Sequence, residues 1–201
     1  MFQTRTLDNM RFAVLLVLAS SVTLTSRAQA PVFANQPNSS INFSVQASIP
    51  IAGRFDKWEA TLKFASPDVT TGSLDIKVQA ASVDTGSSFK DDKLRSRDFF
   101  NSDHDPYITF QSSKVVPTGP NTFSIPGTFT IRGVSRPETL TLTVSGERGS
   151  GSGEIKGAMA FDRKDYGMDS GIPFIHIANR VEVDVDLYVK RVSGPPLNFK
   201  Q

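Results

Sequence analysis

At 201 residues, 38% apolar and 21% charged, the chain is long enough for one domain with a sizeable core and short for two. Of its 22 basic and 20 acidic residues, Arg5, Arg11, Arg27 and Asp8 fall in the first thirty, so residues 31–201 carry 19 of each sign. A near-neutral chain without a long basic run gives no support to nucleic-acid binding or to electrostatic attachment to a membrane.

The first thirty residues differ from the rest. Arg5 and Arg11 precede the apolar run FAVLLVLASSVTL (12–24), and small residues follow, ending in Ala28-Gln29-Ala30. This is the pattern of a cleavable secretory leader. The run falls short of the roughly 20 residues that a membrane-spanning helix needs, which makes an uncleaved anchor the weaker alternative. Cleavage after Ala30 would leave Pro31 behind the scissile bond, where its fixed φ restricts the extended backbone a peptidase grips, so cleavage after Ala28 competes. The expectation is a signal peptide over 1–30, one domain over 31–201, a periplasmic or secreted location, and no permanent membrane anchor once the leader is gone. Cysteine is absent, which fits an envelope compartment and leaves stability to the core and its ladders.

After a short Pro/Asn/Ser lead-in, alternation of period 2 dominates. Ile41, Phe43 and Val45 share a face; so do Trp58, Ala60, Leu62 and Phe64, with Phe55 on the opposite parity, which predicts a bulge near Lys57. Leu74, Ile76, Val78 and Ala80 follow, then Ile108 and Phe110, then Phe123, Ile125, Gly127, Phe129 and Ile131. The remaining stripes are Leu140, Leu142 and Val144; Ile155, Gly157, Met159 and Phe161; and Val181, Val183, Val185, Leu187 and Val189. About eight one-sided strands must close on a common interior, as a barrel or as two packed sheets. A single antiparallel all-β barrel is preferred, because an open sheet of long strands leaves two exposed edges. GSGSG (149–153) reads as a hairpin tip and Gly194-Pro195-Pro196 as the start of a loose tail.

One short helix is predicted around KDDKLRS, with Ser88-x-x-Asp91 resembling a capping box and Leu94, Phe99 and Phe100 turned inward, before Asp105-Pro106 forces extension. The charges here raise the question of a metal site built from Asp91, Asp98, Asp103, His104 and Asp105. Three of them are adjacent in sequence and point in alternating directions, His176 is distant, and no recognised ligand spacing occurs, so a solvated acidic turn is the better reading and no metal is expected. Nor is a catalytic site: G-x-S-x-G, cysteine and phosphate-loop fingerprints are missing. Asp184 and Asp186 fall on the water-facing side of the last strand.

The interior is distinctive in composition. With 15 Phe against 3 Tyr and one Trp, its aromatic surface has few polar handles and would suit a hydrocarbon chain, although Phe stripes more commonly just fill a core. Gly127 and Gly157, on otherwise apolar faces, leave room inside or mark a bend. Gly171-Ile172-Pro173-Phe174-Ile175-His176-Ile177 reads as an apolar loop at a barrel mouth, either a plug or a lid.

The segments SSINFSV (39–45), GRFDKW (53–58), SVDTG (82–86), KDDKLRSRDFF with Pro106-Tyr107-Ile108-Thr109-Phe110, GTFTIRGVSRP (127–137) and DRKDYGM (162–168), in this order and spacing, resemble the YceI-like family of lipocalin-like exported proteins associated with polyisoprenoid binding. The resemblance implies an antiparallel barrel with an apolar tunnel for a polyisoprenoid or isoprenoid-quinone lipid, in the periplasm, as a possible homodimer, with no catalysis and no cofactor. The expected ligand-binding residues are Phe43, Trp58, Leu62, Leu74, Ile76, Leu94, Phe99, Phe100, Phe110, Phe129, Ile131, Met159, Phe161 and Phe174. Where many members carry a Lys-His pair after the first strand this chain has Gln46-Ala47, and Lys90 and Lys93 replace a common arginine and histidine. These departures bear on the head group. A filled barrel acting as an envelope stress or interaction protein, and an enzyme working on a lipid-like substrate, are the competing functions.

Overall fold

The computed structural model describes residues 29–146, 151–171 and 176–199. Residues 1–28, where a leader is expected, and the segment 172–175, with Phe174, lie outside the described residues, as does 147–150 at the predicted hairpin tip. In chain order the strands are β1 (Val32–Asn35), β2 (Ser40–Ala47), β3 (Ile51–Phe55), β4 (Trp58–Phe64), β5 (Gly72–Gln79) and β6 (Val83–Asp84). The helix α1 (Ser88–Arg95) follows, then β7 (Tyr107–Ser112), β8 (Val116–Gly119), β9 (Thr122–Ile131), β10 (Val134–Ser145), β11 (Ser152–Asp162) and β12 (Ile177–Ser193).

These strands form one antiparallel sheet whose ladder runs β4-β5-β7-β9-β10-β11-β12-β2-β3-β6, with β1 on β12 and β8 on β9. The two ends of that path are covalently continuous, since β3 bends into β4 at Asp56-Lys57 and β5 turns into β6 at Ala80–Ser82. Asp56 N donates to Ser82 O (3.1 Å) and Gln79 N to Lys57 O (2.9 Å), which carries the pairing across both bends. The sheet therefore curls back on itself. Counting each bent pair as one run and setting β1 and β8 aside leaves eight principal strands, the number expected from the stripes. The opposite parity of Phe55 has a different cause from the predicted bulge: β3 and β4 are separate strands, and the bend between them resets the alternation.

The inner face is set by register. Opposed pairs such as Phe110↔Phe129, Met159↔Val183 and Phe43↔Val183 place large apolar side chains side by side, while Asp184 and Asp186 pair with Asn42 and Ser40 on the other parity. Between β9 and β10 the two-residue turn Arg132-Gly133 has φ of +53° and +71°, the twist that a tight hairpin requires. Arg132 bears that left-handed conformation while its guanidinium ties three segments together: Nη2 donates to Arg97 O (3.0 Å), and Nη1 to the carbonyls of Tyr166 and Gly167.

The short helix occurs where expected, but it is not held by a capping box. Ser87 is the N-cap and makes no side-chain cap bond, and Ser88 is already helical. Asp91 instead turns back on the preceding loop, where its Oδ1 accepts from Thr85 N (2.8 Å) and Thr85 Oγ1 (2.6 Å). Buried Leu94, Phe99 and Phe100 close one end of the barrel, with Phe100 in ring contact with Phe43 and Phe55 at 6.3 and 5.8 Å between centroids.

Both chain ends of the domain are more ordered than the sequence suggests. Residues 32–35, read as lead-in, add β1 to β12. The segment after Gly194, read as a loose tail, folds back over the opposite end of the barrel from α1. Asn198 N donates to Pro67 O (2.8 Å), Val69 N donates to Asn198 O (3.3 Å), and Phe199 packs on Phe123 at 6.0 Å. Among the described residues no helix is long and apolar enough to cross a membrane.

Candidate functional site

Inward side chains line two cavities in succession along the barrel. On β12, Val181, Val183 and Val185 face the first and Val189 and Arg191 the second; on β9, Ile131 and Phe129 face the first and Ile125 and Phe123 the second. The same change occurs along β5, β10 and β11, so the cavities lie end to end on one axis. The first, about 90 Å³, lies under the α1 segment, and among the described residues Thr109 and Arg163 are its only polar lining residues. The second, about 560 Å³, lies under the C-terminal tail and is walled by Phe33, Leu62, Phe64, Leu74, Phe123 and Phe199 among others. Its mouth carries the polar residues Asn121, Ser145, Ser152, Arg191 and Asn198.

Ten of the expected ligand-binding residues line the first cavity: Phe43, Ile76, Leu94, Phe99, Phe100, Phe110, Phe129, Ile131, Met159 and Phe161. Leu62 and Leu74 line the second. Half-buried Trp58 lines neither, because it stands at the bend where β4 begins, and Phe174 is outside the described residues. The two inward glycines do not leave room. A Cβ on Gly127 would lie 2.6 Å from Phe110 Cζ and from Gln111 O, and one on Gly157 would meet Leu142, Val185 and Leu140 at 3.1–3.3 Å. Neighbouring side chains fill both notches and partition the interior.

Sequence reasoning missed most of the second cavity. Phe33, Pro196, Leu197 and Phe199 come from segments too short for a periodic signal. Arg191 had a readable signal: it continues the odd-numbered stripe of β12 two residues beyond Val189. In the first cavity the expected set passed over Ile41, Val45 and Val78, which the same parity identifies.

Buried Arg163 secures the wall of the first cavity. Its Nε donates to Ala178 O (3.1 Å) and its Nη1 to Ser170 O (3.0 Å) and to Met168 O, which pins the chain between β11 and β12 to the barrel. Above it Tyr166, fully buried, contacts the rings of Phe161 and Phe129 at 5.2 and 5.5 Å and donates its hydroxyl to Glu138 Oε1 (3.0 Å). Burial, and then Glu138, push its pKa well above the ordinary tyrosine value.

The acidic cluster serves the turn. Asp91 binds Thr85, Asp98 pairs with Lys93 at 2.5 Å, and Asp105 accepts from Asn101 Nδ2 (2.9 Å) and lies 3.3 Å from His104 Nδ1, while Asp103 is exposed. The Lys93 hydrogen bond and charge hold the Asp98 carboxyl below its usual range. Among the described residues no three His, Asp or Glu side chains gather into a metal-ligand set. His104 and His176 are exposed and line neither cavity.

The geometry can be set beside known proteins. Solved structures with the same fold include BcnA of Burkholderia cenocepacia (TM-score 0.67, 24% identity, 75% of this chain and 95% of that one). A polyisoprenoid binding domain from Saccharophagus degradans, implicated in plant cell wall breakdown, aligns with TM-score 0.63 at 17% identity over 80% of this chain and 99% of that domain. Among curated relatives, a UPF0312 protein of Shewanella denitrificans is 30% identical over 142 residues, 67% of this chain and 74% of the relative. The YceI-like domain matches residues 34–189, from within β1 to the inward Val189 of β12, and so spans the strands that enclose both cavities. This chain belongs to the YceI-like family.

Proposed function

We propose that the protein binds and carries a polyisoprenoid or isoprenoid-quinone lipid in its barrel interior, in the periplasm after loss of its leader, cut after Ala28 or Ala30, and that it does so without catalysis. The observation that carries this reading is the axial pair of apolar cavities, of which the larger, at about 560 Å³, is within the range of small-ligand sites. Removing roughly 300 Å² of prenyl surface from water yields about 7 kcal/mol before ordering costs, enough for useful affinity without a specific polar contact. The family and the polyisoprenoid binding domain of like fold support the same ligand class. Against catalysis stands the make-up of the walls: among the described lining residues there is no histidine and no carboxylate to act as a general base.

The filled-barrel alternative draws on the first cavity, which at about 90 Å³ is close to packed. Uptake of a prenyl lipid by purified protein, measured by co-elution, separates the two. Saturable uptake supports the carrier; no uptake of any prenyl chain supports the filled barrel.

A further inference from the structure

The apolar stripe of β12 ends in a charge. Val181 to Val189 alternate onto the inner face, and the same period brings Arg191 to the mouth of the larger cavity. The guanidinium is held in place: Nη1 donates to Gly194 O (2.5 Å), and Gly151 lies beside the rest of the group, where a Cβ would come 3.7 Å from Nε and 3.8 Å from Nη2. The turn at Gly194, with φ of +80°, is what aims that carbonyl at it. Among the described residues Arg191 has no carboxylate partner, and its Nε and Nη2 meet no protein acceptor. It is also the one charged residue among the described residues that line the larger cavity.

The two cavities thus form a polarity gradient, from a polar mouth at Arg191, Asn121 and Asn198 to a nearly wholly apolar end under Phe99 and Phe100. We propose that the mouth is the head-group subsite of the bound lipid and takes an anionic head, a phosphate or carboxylate on a prenyl-type chain, with the hydrocarbon running inward toward Phe110. This rests on the lipid-carrier reading and adds the orientation and the charge of the ligand. A guanidinium with two unengaged edge nitrogens matches the paired oxygens of either anion, and at a half-buried mouth the attraction is stronger than in open water. The reverse orientation would press a charged head into the first cavity, where Arg163 is already engaged by the carbonyls of Ala178, Met168 and Ser170 and the rest of the described wall is apolar apart from Thr109, at a large desolvation cost.

The test compares three twenty-carbon probes on the purified full chain: geranylgeranyl phosphate, geranylgeranoic acid and the neutral alcohol geranylgeraniol. The wild type is expected to hold one or both anions about tenfold more tightly than the alcohol, the size of a charge-assisted hydrogen bond. In Arg191→Gln that preference should collapse while alcohol binding is kept, and Arg191→Lys should retain part of it. Equal affinity of the wild type for all three probes, an undiminished anion preference in Arg191→Gln, or loss of alcohol binding in that variant would overturn the subsite. Failure of the wild type to bind any of the three would instead overturn the carrier reading beneath it.

Discussion

Phe110 occupies the notch left by Gly127: its Cζ lies 2.6 Å from where a Cβ on that glycine would be. The two residues are diagonal neighbours on adjacent strands: Phe110 is opposite Phe129, and Gly127 lies two residues along β9 from it. The aromatic ring and the missing side chain are one packing unit.

Phe110→Ala is expected to cost about 3–5 kcal/mol, as for other buried Phe truncations, and to join the cavities, so that folded protein accepts a bulkier hydrocarbon probe. Gly127→Ala is expected to cost about 1–3 kcal/mol, since the Gln111 carbonyl at 2.6 Å belongs to the ladder and cannot swing away. Urea unfolding checks both. A neutral Gly127→Ala would mean that the strands part easily there.

Arg163→Ala leaves the carbonyls of Met168, Ser170 and Ala178 without their donor. A loss of about 3 kcal/mol or more is expected, with a smaller loss for Arg163→Lys, whose ammonium cannot reach in several directions in one plane. Denaturation midpoints of the two variants, compared at equal m-value, decide it; equal loss in both would show that the positive charge alone contributes nothing and that the fork carries the whole effect.

Tyr166→Phe keeps the contacts with Phe129 and Phe161 and removes the hydroxyl bonded to Glu138, for an expected loss of about 1 kcal/mol at neutral pH. Because the folded-state pKa of Tyr166 is raised, its contribution is full below the unfolded value of about 10 and declines as pH rises beyond it. Stability measured from pH 8 to 11 should therefore fall more steeply in the wild type than in Tyr166→Phe. Parallel curves would contradict this.

Phe199→Ala should cost about 1 kcal/mol, since the ring is half-buried against Phe123, and should raise hydrogen exchange at Val69 and Asn198, which the tail holds together. Unchanged protection at both amides would show that the tail merely rests on the barrel.

Much of the barrel was legible because a period-2 stripe needs no distant information: the side chain at 123 or 185 faces inward wherever its strand goes. The helix was readable from its own residues, though Asp91 bonded Thr85 rather than serving a cap. What escaped depends on the closed structure. Whether 32–35 pairs with anything, or whether Leu197 and Phe199 find a groove, is decided by surfaces from β4, β9 and β12 that no local window contains. The two glycines misled for the same reason, since whether a notch is empty depends on Phe110 and Leu142 from neighbouring strands. The candidate site was half visible: the aromatic stripes marked the α1 end, while the larger cavity awaited the tail that covers it.

The most direct measurement is extraction of the protein purified from its own cells, followed by mass spectrometry of the released lipid. A prenyl-chain lipid recovered at close to one per protein chain is the expected result. Empty protein that also takes up no added prenyl lipid would contradict the carrier function.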